Sequence, residues 1–307
     1  MSNPIASPTP LTPLTRSGFV AIVGRPNAGK STLLNALIGQ KISITSRRPQ
    51  TTRQNIAGIL TAPDVQLVFL DTPGFQTHYH TGLTKAMDRG FKNALSEANV
   101  VLWLIDVTMR EHADDEIFAR LQGSAATPVV MALNKIDKIE NKNQVLEYIQ
   151  ALDAAYHPTA IVPISAQKKL QLVTLIDVLT PLLPQQEFLY AKDDITTASV
   201  RSLAAEMIRE KLFRLLGQEL PYSTAVEIET FEEKAALTRI RAVILVDKPG
   251  QKAIVIGKGG EKLKEIGTAA RIDIEKLVGG KVFLELWVKV KQSWADDRRT
   301  LDRLGLS

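Results

Sequence analysis

The stretch Gly24-Arg25-Pro26-Asn27-Ala28-Gly29-Lys30-Ser31, followed by Thr32, has the spacing G-x-x-x-x-G-K-[ST]. Residues of these types in this order are suited to holding phosphate. The glycines let the backbone curl until successive N–H groups point inward at phosphate oxygens. A helix starting at the lysine adds its positive end. Lys30 reaches the outer phosphates as a point charge, and the Ser31 hydroxyl is a ligand for Mg2+. A glycine turn that only caps a helix has the same composition, so the context matters. Here the loop lies between an apolar run, Gly18–Val23, and a helical pattern, Ser31–Ile38.

Three further stretches complete a constellation. Asp71-Thr72-Pro73-Gly74 follows the apolar run Val65–Leu70; Asp71 is expected to hold Mg2+ through a water, and the Gly74 N–H to touch a γ-phosphate. Within Gln50-Thr51-Thr52-Arg53, Thr52 is preferred over Thr51 as the hydroxyl that completes the Mg2+ shell when the γ-phosphate is present. Asn134-Lys135-Ile136-Asp137 follows Val129–Leu133. A carboxylate at Asp137 accepts from both N1–H and the 2-amino group of guanine, whereas adenine would leave it unpaired. Asn134 is expected to tie this loop to the phosphate loop, and Lys135 to lay its stem over the base. Ser165-Ala166-Gln167 follows Ile161–Ile164, with the Ala166 N–H in reach of guanine O6. Lys30, Thr52 and Gly74 are the candidate catalytic groups. Phe75, directly after the DTPG stretch, joins the nucleotide-binding set.

These loops must be positioned by a scaffold. The chain has 307 residues, 45% hydrophobic and 23% charged, which are ordinary globular proportions. With no cysteine and four histidines, thiolate chemistry and Cys-based metal sites are excluded. His78 and His80 read as loop residues rather than a metal pair. No apolar run approaches the ~18 residues that span a bilayer. Residues 1–17, with Pro4, Pro8, Pro10 and Pro13, read as a disordered tail and not as a signal peptide. Over 18–184 short apolar runs, Val100–Ile105 among them, alternate with helical patterns such as Asn143–Ala155. That alternation predicts an α/β domain with a doubly wound, mostly parallel sheet.

Residues 185–199 read as a linker. Residues 200–307 follow the order helix–strand–strand–helix–helix–strand, a smaller α+β unit closed by a short helix over Ser293–Leu304. Its strands are expected at Ala225–Phe231, Arg239–Val246 and Val282–Val290, with helical patterns at Val200–Gly217 and on either side of Gly267. Of the net charge of +5, +4 lies in 200–307. The stretch Ile254–Gly260, with the G-x-x-G tetrad Gly257-Lys258-Gly259-Gly260, is placed between a strand and a helix, and its apolar run precedes the loop. Lys248, Lys252, Lys258, Lys262 and Lys264 crowd around it against one acid, Glu261. Gly257, Lys258, Gly259, Gly260, Lys252, Lys262 and Lys264 are the candidate RNA-binding residues, since such a loop lets backbone approach nucleic-acid phosphates closely. Trp287 is expected in the core, Trp294 is left unassigned, and Arg298-Arg299 reads as a solvated helix face.

Taken together, G-x4-GKS, a switch threonine, DTPG, NKID and SA resemble the five boxes of a GTPase. With ELPYS (219–223), the G-x-x-G loop and LELWVKVK (284–291), the chain resembles the bacterial Era family, GTPases that carry a C-terminal KH domain of the bacterial type (type II). The resemblance covers roughly residues 18–305. It departs only in the tail and at Ala28, where many members carry Val. It implies a Mg2+-dependent GTPase that binds GTP and GDP, and contact with the 3′ region of 16S ribosomal RNA during 30S assembly. It also implies a cytoplasmic location with peripheral association at the inner membrane face; a monomer is expected. Many small GTPases carry a water-orienting Gln where this chain has Phe75, so intrinsic hydrolysis is expected to be slow. Asn27 matches the residue that holds K+ in related GTPases. GTP and Mg2+ would order the loops around Thr52 and Gly74 and change how the two domains sit on each other. By the residues alone, a P-loop ATPase or kinase, a module with a structural nucleotide, and a regulator at a membrane surface stay open.

Overall fold

The computed structural model describes residues 15–45, 52–53, 56–74, 81–109, 114–121, 127–217, 220–234 and 236–306. The tail up to residue 14 lies outside them, as do Thr51, Phe75, His78 and His80. Six strands form the first sheet: β1 (Arg16–Gly24), β2 (Ile56–Thr61), β3 (Val65–Asp71), β4 (Val100–Asp106), β5 (Val129–Asn134) and β6 (Ala160–Pro163). Their spatial order is β2-β3-β1-β4-β5-β6, with only β2 antiparallel to its neighbour. The helices are α1 (Lys30–Ile38), α2 (Gly82–Glu97), α3 (Asp114–Leu121), α4 (Lys142–Tyr156) and α5 (Leu172–Leu179).

Every residue of β3 and β4 is buried, as parallel strands covered on both faces must be. Alternate residues feed two cores. Val20, Ile22, Leu102 and Leu104 pack with Leu33 and Leu34 of α1 and Leu175 and Leu179 of α5. Ala21, Val23, Trp103 and Ile105 pack with Phe91 of α2, Ile117 of α3 and Leu152 of α4. The loops that follow β1, β3, β5 and β6 therefore leave the sheet at the same end, where open α/β sheets bind ligands.

The expected sheet is present, with one strand that composition concealed. Gly58 interrupts β2, and glycine weakens a strand signal. Its role is close packing: a Cβ there would fall 2.6 Å from the Leu34 side chain. β1 opens at Arg16, inside the stretch read as tail. The stretch read as a linker is stitched to this sheet. Gln185 bridges to Arg16, Thr196 to Gly58, and the Ile59 N–H donates to the Ile195 carbonyl at 2.9 Å.

The second unit contains α6 (Val200–Leu215), β7 (Thr224–Lys234), β8 (Leu237–Val246), α7 (Pro249–Ile256), α8 (Glu261–Val278), β9 (Val282–Val290) and α9 (Arg298–Arg303). Its sheet has the order β7-β8-β9, antiparallel then parallel. One face packs on α6, α7 and α8 through Ile208, Leu212, Ile240, Ile244, Val255 and Ile266. On the other face Ala225, Val243 and Leu245 are covered by Trp294 and Leu301, and by Leu83 and Met87 of α2. A helix of the first unit thus completes a core of the second. Among the described residues no helix is long and apolar enough to cross a membrane.

Three expectations are corrected in this unit. The stretch Ile254–Gly260 is expected directly after a strand, but Ile254–Ile256 end a helix, because Pro249 at the first helical position and the Gln251 side chain, accepting from the Lys248 N–H at 2.9 Å, start α7. A short apolar run does not by itself separate the two states. Gly267 lies within α8, so the two helices flank Gly257–Gly260 instead; at Gly267 the absent Cβ lets α8 approach Leu286 of β9. Trp287 is 61% exposed, since the elements that cover Val243 and Leu245 do not reach β9. Trp294 is the buried indole, its Nε1 donating to the Ser223 carbonyl at 2.9 Å.

Candidate nucleotide site and its link to the second unit

The phosphate loop bends where its glycines stand. Gly29 has φ +105°, and a Cβ there would lie 2.4 Å from Asn134 Nδ2. Ala28 is buried in the core beneath, while Asn27 is exposed with φ 65°. Lys30, the first residue of α1, donates to the Gly24 and Arg25 carbonyls, both at 2.9 Å. Burial pushes its ammonium down to a pKa of about 8, against the pull of Asp71.

Asp71 closes β3 with no exposed surface. Burial raises its pKa; the charge of Lys30 and hydrogen bonds from Ser31, Ser43 and Thr52 oppose that. Ser31 Oγ donates to Asp71 Oδ2 at 2.7 Å and lies 3.0 Å from Thr52 Oγ1. Asp71 Oδ1 is buried with no hydrogen-bond partner among the described residues. Two hydroxyls and one carboxylate, whose Oδ1 is the orphaned oxygen, form the hard donor set that Mg2+ prefers alongside phosphate and water. The residues present therefore fit the ion. The DTPG turn lies against the phosphate loop, since a Cβ on Gly74 would be 3.1 Å from the Pro26 side chain. Thr72 spends its hydroxyl on the Ile22 carbonyl at 2.7 Å and holds the turn rather than facing outward. Among the described residues no side-chain hydrogen bond or ion pair marks Thr32 or Pro73.

At the base end, Asn134 Nδ2 donates to the Ala28 carbonyl at 2.8 Å, so the expected tie to the phosphate loop is present. Its Oδ1 accepts from the Ala166 N–H at 2.9 Å. That N–H, expected at guanine O6, is engaged by the asparagine instead. Ser165 Oγ donates to Asp137 Oδ1 at 2.5 Å and fixes the carboxylate. Gln167 is exposed just beyond. Lys135, in the left-handed region at φ 70°, donates to the Asn27 carbonyl at 2.9 Å and pairs with Asp106. Burial works to raise the Asp106 pKa, but Lys135 and two bonds from Thr108 outweigh it and hold the group below the usual carboxylate range.

Ser43, Asp106 and Arg53 are the contributors that sequence reasoning passed over. Asp106 carried a signal, an acid at the end of a fully apolar strand; Ser43 carried none. Arg53 adjoins Thr52 but faces the second unit. It is buried and donates to the Thr224 carbonyl at 2.7 Å and the Tyr222 carbonyl at 2.9 Å, with its guanidinium 5.6 Å from the Trp294 ring. Burial and then the charge of Arg209 push its pKa down to about 9, with Glu206 opposing. N-terminal to residues 46–51, Lys41 pairs with Glu210 at 2.6 Å and Asp273 at 3.0 Å, and the Thr45 N–H donates to Glu210 at 3.3 Å. The start of α2 is held too. The Gly82 N–H donates to Asp296 at 2.7 Å and the Leu83 N–H to the Ala295 carbonyl at 2.8 Å.

In the second unit Gly257, Gly259 and Gly260 all have positive φ (73°, 62° and 84°), a run of conformations that side chains rarely adopt. Lys252, Lys258 and Lys264 are exposed around the loop, whereas Lys262 is paired with Glu265 at 2.7 Å.

Comparison with known proteins gives a consistent result. A family model described as a 50S ribosome-binding GTPase matches residues 19–135, and one described as a KH domain matches 219–295. GTPase Era of Chromobacterium violaceum is 50% identical over 289 residues, covering 94% of this chain and 97% of the relative. GTPase Era of Neisseria meningitidis serogroup C is 49% identical over 293 residues, 95% of each chain. A crystal structure of an Aquifex aeolicus Era variant bound to GDP and AlF4− matches with TM-score 0.92 at 40% identity, covering 95% of this chain and 100% of the other. Era in complex with MgGDPNP and nucleotides 1506–1542 of 16S ribosomal RNA matches with the same TM-score and identity, covering 95% and 99%.

Proposed function

The chain belongs to the Era family of GTPases, and from that membership we propose that it binds GTP, hydrolyses it slowly to GDP and phosphate, and lets the nucleotide govern its hold on the 3′ region of 16S ribosomal RNA during small-subunit assembly. The nucleotide unit runs from Arg16, where β1 opens, to 184, with 185–199 as the connection and 200–307 as the RNA unit. The observation that carries the reading is the Asn134 bridge. It joins the loop bearing Asp137 to the phosphate loop and to Ala166, so base and phosphate recognition share one rigid frame.

In this reading Lys30 leaves the Gly24 and Arg25 carbonyls for β- and γ-phosphate oxygens, which restore its full charge. Arg25, Pro26, Asn27 and Thr32 line the phosphates, and Gly74 contacts the γ-phosphate. Ser31, Thr52 and, through water, Asp71 would hold Mg2+, which when bound neutralises charge on the β- and γ-oxygens. Asp137 selects the 2-amino purine while Lys135 covers its face. A phenyl ring at Phe75 offers the attacking water no hydrogen bond, so turnover without an arginine finger stays far below one per second. A K+ ion at Asn27 supplies part of the missing charge; equal turnover in K+ and Na+ would remove that part of the proposal.

Thr52 and Arg53 are adjacent, so ordering the threonine on the metal shifts the arginine that grips the RNA unit. The Gly257–Gly260 loop, with Lys252, Lys258, Lys262 and Lys264, holds about four single-stranded nucleotides. The protein acts as a cytoplasmic monomer, with its basic face in peripheral contact with the inner membrane surface. Two measurements test the core of the proposal. Calorimetry on Mg2+-replete protein is expected to show GTP bound and ATP not. RNA affinity is expected to differ between the GTP-analogue and GDP states, and identical affinities would remove the coupling.

A further inference from the structure

β9 is the edge strand of the second sheet, and its outward face is open. Phe283 is 49% and Trp287 61% exposed, with exposed Lys289 two residues on. In register beside them, β8 sets Arg239 against Phe283 and Arg241 against Glu285. The Arg239 guanidinium lies 5.9 Å from the Phe283 ring, and Arg241 pairs with Glu285 at 3.2 Å. On β7, Glu232 faces Arg239 but is paired with Lys234 at 3.7 Å. The β8–β9 face thus presents two large rings with three cations and one carboxylate. Rings interleaved with cations suit stacked bases and a phosphate backbone. Protein-binding cores are depleted in Lys and carboxylates, and this face carries Lys289 and Glu285.

The strand that carries the rings also backs the loop proposed to hold RNA. α7 and α8, which flank Gly257–Gly260, both pack on β9, and Gly267 of α8 closes onto Leu286. The helices cover the face of β9 that bears Leu284, Leu286 and Val288, and the rings stand on the opposite face. A single strand leaving that loop meets the open edge of β9 and rounds it to reach the rings. The two rings stand four positions apart along the strand, ~13 Å, so they serve different bases.

We propose that Phe283 and Trp287 form a stacking platform for bases of single-stranded RNA running on from the Gly257–Gly260 loop, with Arg239, Arg241 and Lys289 meeting its phosphates. The inference rests on the RNA reading above and adds a second contact surface to it.

The three tryptophans make the platform directly observable, because Trp103 and Trp294 are 0% and 1% exposed and only Trp287 meets solvent. The test uses the full chain with Mg2+ and a non-hydrolysable GTP analogue. The probe is a 12-nucleotide single-stranded RNA from the 3′ end of 16S ribosomal RNA. Binding is expected to shield Trp287 from acrylamide quenching. Trp287→Ala is expected to weaken the RNA about 5- to 150-fold, the range for loss of one stacked base, while Trp287→Phe stays within about 3-fold. GTP affinity of both variants is expected to match the parent, which certifies the fold. If the parent binds the RNA but Trp287 stays quenchable, or Trp287→Ala binds as well as the parent, the platform is wrong while the RNA reading stands; the exposed rings then belong to a protein contact. If the parent does not bind the RNA at all, both fall.

Discussion

Asp137 meets an incoming base in one orientation because the Ser165 hydroxyl holds it at 2.5 Å. Two charge-assisted hydrogen bonds to guanine are each worth about 1.5–3 kcal/mol. Asp137→Asn is therefore expected to cost roughly 10²–10⁴-fold in GTP affinity and to favour xanthosine triphosphate; calorimetry with the two nucleotides checks it. Lys30 supports a second prediction. Its native pKa of about 8 lies below the ordinary 10.5, so between those values the unfolded chain holds a proton that the native chain lacks. Stability of the nucleotide-free protein consequently rises with pH across that window. Phosphate beside the ammonium pulls the pKa back up. GTP binding near pH 8–9 is thus expected to take up a proton, seen as a dependence of binding heat on buffer ionisation enthalpy. Heats independent of buffer would place the charge elsewhere.

At the scale of elements, the turn between β1 and α1 has no room for a side chain. Gly29→Ala adds a Cβ 2.4 Å from Asn134 Nδ2 at a φ of +105°. Backbone strain of about 1–3 kcal/mol and loss of the Asn134 bridge should lower GTP affinity by at least about 10-fold, measurable with a fluorescent nucleotide. Lys41 and Thr45 on one side of residues 46–51, and Arg53 on the other, are both gripped by the second unit. Arg53→Ala leaves the Thr224 and Tyr222 carbonyls without that donor and removes the cation over Trp294. The expected cost is about 2–4 kcal/mol, read from the urea midpoint of the second unit. Arg53→Ala should also shrink the difference in RNA affinity between nucleotide states, which a change of stability alone would not do.

Across the whole molecule, the two units share a core at Leu83, Met87, Trp294 and Leu301 and an ionic cluster around the buried Glu210. Burial alone would raise Glu210 and Asp273. Lys41 and Lys211, with Arg214 beside Glu210, outweigh it and hold both carboxyls below their ordinary values. Depressed carboxylates stabilise above their unfolded pKa, and that contribution fades as pH falls through the native values. Loosening of the units is therefore expected below about pH 4, seen by small-angle scattering as a rising radius of gyration. Lys41→Ala, which removes the cross-unit cation, should move that transition to higher pH. An unchanged transition would assign the docking to the apolar core.

The nucleotide chemistry was legible from residue order because it is local. A glycine turn, a lysine and a hydroxyl at fixed spacing create the same cradle wherever a strand precedes and a helix follows. The strand β9 was equally plain, with its alternation giving Val282–Val290 as the structure has it. Periodicity says which residues share a face and not which face another element will cover. Trp287 was accordingly misplaced, and Trp294, beyond the strand, took the core position. The run Ile254–Ile256 was ambiguous for a related reason: three apolar residues fit either period until the path of the chain is known. Pairings such as Arg53 with Thr224 and Lys41 with Glu210 join residues far apart in the chain. No spacing rule encodes them, because they depend on how one folded surface meets another. The class of nucleotide thus follows from the chain's own order of residues, whereas the exposed aromatic strand and the grip on the switch loop were decided only by tertiary packing.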